Sequence, residues 1–158
     1  QKKFNEIINK NIIFLQDNHS RSRFGVLRGL HYQLDPNPQG KLVRCSYGSI
    51  FDVAVDLRRN SPTYGKWGGL ELNSFNKKQL WIPEGFAHGF LTLSENAEVQ
   101  YKATGFWNKD CERSLKWDDS RIDINWFKKI KVMHPKLTIK DSVAPTFNEL
   151  EKSGDIFL

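Results

Sequence analysis

The alternation of apolar and polar residues predicts a protein built mainly from short β-strands. The clearest strand covers residues 49–57, where every second side chain shares one apolar face: Phe51, Val53, Val55 and Leu57. Asp52 and Asp56 fall on the other face. Because an aspartate is costly to bury without a partner, Asp52 predicts a polar cavity behind that face. Asp56 lies near the strand end and is expected to be solvent-exposed.

Similar short strands recur along the chain between turns rich in glycine and proline. They are expected at residues 12–15, 25–33, 41–47, 66–72, 79–82, 90–93 and 98–104. Short strands at a spacing of 8–12 residues are typical of a sandwich or barrel. Short helices are expected at 2–10, from its helical apolar spacing, and from the capping box at Thr146 to about Lys152. No linker or repeat divides the sequence, so residues 1–158 are expected to form a single domain.

The segment 25–33 places a cation and an imidazole three residues apart, at Arg28 and His31. On a regular strand the two side chains would point to opposite faces. A β-bulge at Gly29 would bring them to the same face. The alternative is a core strand with one hydrogen-bonded histidine and an arginine at its edge.

Composition and charge narrow the function classes. The chain is 39% hydrophobic and 27% charged, as in globular domains, and no apolar run reaches the roughly 18 residues of a membrane span. Its net charge of +6 is scattered, apart from a basic cluster at 128–131, and no nucleic-acid-binding signature is present. We therefore expect a small anionic ligand, with no nucleic-acid or membrane partner. Cys45 and Cys111 lack metal or disulfide spacing and indicate structural thiols in a reducing, cytoplasmic compartment.

The motif Pro83-x-Gly85-x-x-His88 resembles the second motif of the cupins, which are double-stranded β-helix jelly rolls. In metal-dependent cupins the first motif supplies two histidines and a glutamate, whereas the corresponding region here holds only His31. His19 and His134 do not complete a set of three or four ligands. The resemblance implies a mainly β cupin jelly roll with a few short peripheral helices, no catalytic metal and no cofactor.

A longer ordered set of motifs, spread over about residues 4–150, resembles the dTDP-4-dehydrorhamnose 3,5-epimerase family. The matching segments are 28–33, 41–44, 51–56, 80–90, 101–104, 117–119 and 140–145. The resemblance implies a metal-free enzyme, usually a homodimer, that acts on a nucleotide-linked 4-keto-6-deoxyhexose of deoxysugar and cell-surface polysaccharide biosynthesis. Such an enzyme removes a proton next to the C4 ketone, at C3 and at C5, and returns one to the opposite face.

The same resemblance implies a role for each matching residue. His31 corresponds to the base, and Asp141 to the carboxylate that orients it. Tyr101 corresponds to the acid on the opposite face, and Lys41 to the cation near the C4 oxygen. The implied substrate-binding residues are Gln16, Asp17, Asn18, Arg28, His88, Trp107, Glu112 and Lys140, and Asp52 is expected in the polar network around the histidines.

The sequence departs from the family pattern in three places. Phe106 and Trp107 replace two tyrosines; Trp107 is expected to stack on the nucleotide base, and Phe106 lacks a hydroxyl. A strand that contributes to nucleotide binding is expected before residue 1. The segment 126–132 replaces a usual Trp-Pro and is slightly longer. The motifs leave open a C3-only epimerase or an epimerase of another nucleotide keto-sugar. A non-catalytic binding protein is disfavoured because it needs no acid–base pair.

Overall fold

The computed structural model describes residues 2–8, 10–127 and 134–158. The basic cluster at 128–131 and most of the segment 126–132 lie outside the described residues. Within the described ranges there are nine strands and three short helices. The strands are β1 Gln16–Arg23, β2 Leu27–Gln33, β3 Lys41–Tyr47, β4 Ser49–Asp56, β5 Trp67–Asn73, β6 Gln79–Ile82, β7 Phe86–Thr92, β8 Asn96–Ala103 and β9 Glu112–Ser114; the helices are α1 Lys2–Ile8, α2 Ile139–Ser142 and α3 Phe147–Ser153.

The strands form two antiparallel sheets. One sheet has the order β1-β8-β3-β6 and the other β5-β4-β7-β2-β9. The mainly β jelly roll with a few short helices is therefore confirmed. No helix in the described ranges is long and apolar enough to cross a membrane. Cys45 and Cys111 are buried and free.

Strand β4 is buried on both faces, which separates the core into two apolar clusters. Val53 and Val55 pack under the C-terminal segments, with Phe147 and Leu150 of α3. Ile50, on the other face, packs with residues of the four-stranded sheet such as Val43. Because side chains alternate along a strand, Asp52 must also point into the space between the sheets.

The structure corrects three expectations about the strands. Residues 12–15 do not form a strand; the polar segment 16–23 does, because β1 pairs with β8 at a sheet edge and exposes alternate side chains to solvent. Strand β7 begins at Phe86, so His88 lies inside a strand. Strand β9 and helix α2 were not expected from the sequence.

The prediction that Asp56 is exposed is wrong, since its relative exposure is 1%. The turn after β4 folds back over its carboxylate and supplies donors from Arg58, Ser61 and Thr63. Burial alone raises the pKa of Asp56, but these hydrogen bonds outweigh it and hold the pKa well below its usual range. The buried aspartate is therefore a satisfied structural ion pair.

Of the two possibilities for the segment 25–33, the structure has the β-bulge at Gly29. Arg28 pairs with Phe90, but the next pair in the ladder is His31 with His88, so β2 has one extra residue there. Gly29 has φ +110°, and a Cβ at this position would lie 2.6 Å from the carbonyl oxygen of His88. Only glycine fits without strain, and the bulge turns both Arg28 and His31 toward one cavity.

Gly29→Ala is expected to lower the free energy of unfolding by roughly 2–5 kcal/mol. Alanine is strained at a positive φ, and its Cβ would also clash with the backbone of β7. The matched control is Gly68→Ala in β5, where a Cβ meets no atom within 4 Å. This control is expected to change stability by less than about 1 kcal/mol. Denaturant unfolding of the two variants checks the prediction, and equal stability would contradict it.

Candidate functional site

One cavity collects most of the residues singled out in the sequence. It has a volume of about 420 Å³ and lies between strands of both sheets. Its walls include ten of those residues: Asn18, Arg28, His31, Lys41, His88, Tyr101, Trp107, Glu112, Lys140 and Asp141. Residues up to 123 positions apart in the sequence (18 to 141) therefore meet at one polar site.

Three predicted residues do not line this cavity. Gln16 lies behind the wall, where its amide accepts a hydrogen bond from the Trp107 backbone N–H at 2.8 Å and donates one to Asn18 at 2.9 Å. Asp17 points to the opposite face of β1, where it pairs with Lys102 at 2.8 Å. Asp52 is fully buried behind His88. The alternation of side chains along β1 separates Asp17 from its neighbours.

His31 and Asp141 form a close pair in one wall. His31 Nε2 lies 2.6 Å from Asp141 Oδ1, and Thr138 donates its hydroxyl to Asp141 Oδ2 at 2.9 Å. Burial alone raises the pKa of Asp141, but the hydrogen bonds from His31, Thr138 and the Gly29 N–H outweigh it and lower the pKa. Asp141 is thus a charged carboxylate that fixes the ring of His31 and leaves Nδ1 available to take a proton.

A second histidine–aspartate pair lies beside the first. His88 Nε2 is 2.7 Å from Asp52 Oδ1, and both side chains are buried. His31 and His88 oppose each other across β2 and β7, so their side chains share one face of the sheet. This wall of the cavity therefore carries two neighbouring imidazoles, each held by its own carboxylate.

The opposite wall belongs to the four-stranded sheet and carries Tyr101 and Lys41. Tyr101 lies on β8, with its ring centroid 6.3 Å from that of His88. Burial raises the pKa of Tyr101, which keeps the phenol protonated near neutral pH. Burial also lowers the pKa of Lys41 to about 8, although Glu112 and Asp52 oppose this change. The Lys41 ammonium donates to the His31 carbonyl at 3.3 Å.

The rim is closed by a charged pair next to an aromatic ring. Lys140 Nζ lies 2.5 Å from Glu112 Oε2. Burial raises the pKa of Glu112, but hydrogen bonds from Lys140 and the Trp107 side chain outweigh it and lower the pKa. Trp107 remains 56% exposed, so one end of the site presents a large ring to an entering ligand.

Several cavity residues were not identified from the sequence: His19, Ser20, Tyr32, Gln33, Gln39, Gly89, Phe90 and Thr138. Thr138 could have been found from the sequence, because Thr138-x-x-Asp141 follows a capping-box pattern that marks the start of a helix, and Thr138 does cap α2. Gln33 had none. Its amide bonds to the backbone of Asn37, Phe106 and Asn108, which lie in two separate loops.

The arrangement is suited to proton transfer across a bound molecule. A base, His31, and a protonated phenol, Tyr101, stand on different sheets, and the buried Lys41 ammonium lines the same cavity. In the described ranges no group of three or more histidine, cysteine, aspartate or glutamate side chains is placed to hold a metal ion.

Comparison with known proteins shows that the chain is similar to sugar-nucleotide epimerases. A family model described as dTDP-4-dehydrorhamnose 3,5-epimerase matches residues 1–149. The dTDP-4-dehydrorhamnose 3,5-epimerase of Salmonella typhimurium is 53% identical over 150 residues, which cover 94% of this chain and 80% of the relative.

Solved structures show the same similarity. The dTDP-6-deoxy-D-glucose-3,5-epimerase of Legionella pneumophila, in complex with dTDP-4-keto-L-rhamnose, superposes with a TM-score of 0.91 at 43% identity, covering 99% of this chain and 80% of that one. A 3'-monoepimerase from Streptomyces bikiniensis, in complex with dTDP-quinovose, has a TM-score of 0.89 at 29% identity, covering 98% of this chain and 77% of that one. The fold is therefore common to both kinds of epimerase.

Proposed function

The chain belongs to the dTDP-4-dehydrorhamnose 3,5-epimerase family, and on that premise we propose how its site works. The enzyme is an isomerase that converts dTDP-4-dehydro-6-deoxyglucose to dTDP-4-dehydrorhamnose by inverting C3 and C5. The observation that carries the proposed mechanism is the placement of the His31–Asp141 pair and Tyr101 on opposite walls of one cavity.

The chemistry follows from the C4 ketone of the substrate. His31 takes the proton from C3, and the electron pair of the broken C–H bond forms an enolate whose charge lies on the C4 oxygen. The Lys41 ammonium stabilises this oxygen in a buried site where its charge is weakly screened. Tyr101 then returns a proton to the opposite face of the carbon. His31 releases its proton and Tyr101 regains one from solvent, and the same cycle at C5 completes the reaction.

The remaining polar residues suit the dTDP group. Arg28 and Lys140 supply cationic donors for the diphosphate, and His88 and Asn18 add polar groups that line the same cavity. Trp107 offers a platform on which the thymine base stacks. Asp17 has no such role in this proposal, since it faces away from the cavity.

A C3-only epimerase is the second candidate, because a 3'-monoepimerase shares the fold. The identity to that protein is 29%, against 53% to a 3,5-epimerase, and this difference favours double inversion. A binding protein without activity would not need a histidine–carboxylate pair opposite a protonated phenol.

Incubation with dTDP-4-keto-6-deoxyglucose in deuterated water, followed by NMR at C3 and C5, tests the proposal. Inversion with deuterium at both carbons is expected. Deuterium at C3 alone would favour the mono-epimerase, and no exchange at either carbon would contradict catalysis on this substrate.

We also propose that the protein works as a homodimer in the cytoplasm. The homodimer is implied by the family resemblance, and the free thiols of Cys45 and Cys111 suit a reducing compartment. Light scattering in solution is the test for assembly, and a mass of one 18.4 kDa chain would contradict the homodimer.

A further inference from the structure

Strand β4 carries two buried aspartates on one face, and they differ in how many hydrogen bonds their carboxylates accept. Asp52 and Asp56 have relative exposures of 0% and 1%. The carboxylate of Asp56 is saturated by the turn that follows it. Asp52 receives a hydrogen bond from His88 alone among the described residues, and its Oδ2 has no hydrogen-bond partner there. A buried carboxylate oxygen left unpaired is costly and calls for an explanation.

The pairing of β4 with β7 places the Asp52 carboxylate next to His88. Asp52 pairs with Phe90 and Ala54 pairs with His88, so Asp52 and His88 are diagonal neighbours on one face. His88 in turn opposes His31. The hydrogen bond from His88 therefore links the carboxylate to the cavity, which His88 lines and Asp52 does not.

The bond between Asp52 and His88 determines what His88 offers to a ligand. Since the carboxylate accepts the proton on Nε2, a neutral ring leaves Nδ1 as an acceptor, and a protonated ring makes Nδ1 a donor. The Asp52 carboxylate therefore determines which ring nitrogen of His88 remains free to contact a ligand in the cavity.

Other charged and titratable groups face this pair from the surrounding strands. They are Arg28 and His31 on β2, Lys41 and Cys45 on β3, Tyr101 on β8 and Glu112 on β9. Asp52 is the fully buried carboxylate of this set and raises the pKa of Lys41 against the larger effect of burial.

We propose that Asp52 is a positioning residue of the active site, which holds the His88 ring with Nε2 protonated through their 2.7 Å bond and places a buried carboxylate near Lys41. This inference rests on the proposed function for its kinetic consequences, but not for the state of the His88 ring. Asp52 touches no substrate and acts through its two neighbours.

Asp52→Asn is expected to lower kcat/KM by about 10- to 100-fold, the typical effect of losing a hydrogen bond to a charged group. It is also expected to weaken the affinity for dTDP, measured by calorimetry, because the His88 ring is no longer held by the carboxylate. The alkaline limb of the pH–rate profile is expected to move to lower pH. Asp52 raises the pKa of Lys41, so without this carboxylate the Lys41 ammonium loses its proton at a lower pH.

Asp56→Asn is the matched control, since it also removes a buried carboxylate from the same face of β4. It is expected to lower stability while leaving kcat/KM within about twofold of the wild type and the pH–rate profile unmoved, because effects at separated sites are independent. A shift of the same size in both variants would reduce Asp52 to a structural role. A wild-type profile in Asp52→Asn would overturn the proposal.

NMR of ¹⁵N-histidine-labelled wild-type protein tests the ring state without relying on catalysis. With only four histidines in the chain, His88 can be assigned by substitution. A wild-type ring protonated on Nε2, alone or together with Nδ1, is expected. A ring protonated on Nδ1 alone would overturn the inference. Wild-type protein without epimerase activity would instead contradict the proposed function and leave this ring measurement decisive for Asp52.

Discussion

Replacement of His31 by asparagine is expected to lower kcat/KM by at least about 10³-fold, within the range of losing a general base. His31→Asn removes the nitrogen that takes the carbon-bound proton but keeps a polar side chain beside Asp141, which is 2% exposed at its side chain. Both deuterium exchange and inversion are expected to disappear.

The matched control for this variant is His134→Asn, because His134 is exposed and does not line the cavity. The control is expected to retain wild-type kinetics. Thermal unfolding of both variants separates lost chemistry from lost structure. Deuterium exchange at the wild-type rate in folded His31→Asn would remove His31 as the base.

Tyr101→Phe is expected to separate proton removal by His31 from proton return on the opposite face. Burial raises the pKa of Tyr101, so the phenol holds its proton until an enolate forms in front of it. Phenylalanine keeps the packing in β8 but cannot donate. His31 still removes and returns protons on its own face, so deuterium exchange persists while inversion falls by about 10²- to 10⁴-fold. NMR in deuterated water measures exchange and inversion in one experiment.

Tyr47→Phe provides the comparison for Tyr101→Phe. Tyr47 is 58% exposed at the end of β3 and lies outside the cavity, so loss of its hydroxyl is expected to leave both exchange and inversion intact. Inversion at the wild-type rate in Tyr101→Phe would assign the acid to another group.

The features that the sequence predicted well are local ones. The bulge at Gly29 follows from a glycine between two polar residues that need one face, and the structure has it. The capping box at Thr146 is complete, with Glu149 bonding back to the Thr146 N–H at 2.7 Å. Both depend on neighbours within a few residues, whose geometry the chain fixes by itself.

The features that could not be predicted from the sequence depend on which distant segment packs against each part of the chain. The polar residues 16–23 form a strand because β8, some eighty residues later, pairs with them. Asp56 is buried because the next turn closes over it. Glu112 lies in β9 because β2 offers an edge, although no sequence pattern marks that strand. Local propensity cannot anticipate pairing partners that are distant in the chain.

The mainly β class, the family resemblance and the residue types that acid–base chemistry at a keto-sugar requires can all be predicted from the sequence. Tertiary packing is needed to bring His31 to Asp141, 110 residues away, to pair His88 with Asp52, and to turn Asp17 away from the site. The reason is physical: a motif specifies side chains and a local backbone, whereas hydrogen bonds of 2.6–2.7 Å depend on sheet register, strand pleat and the packing of distant segments.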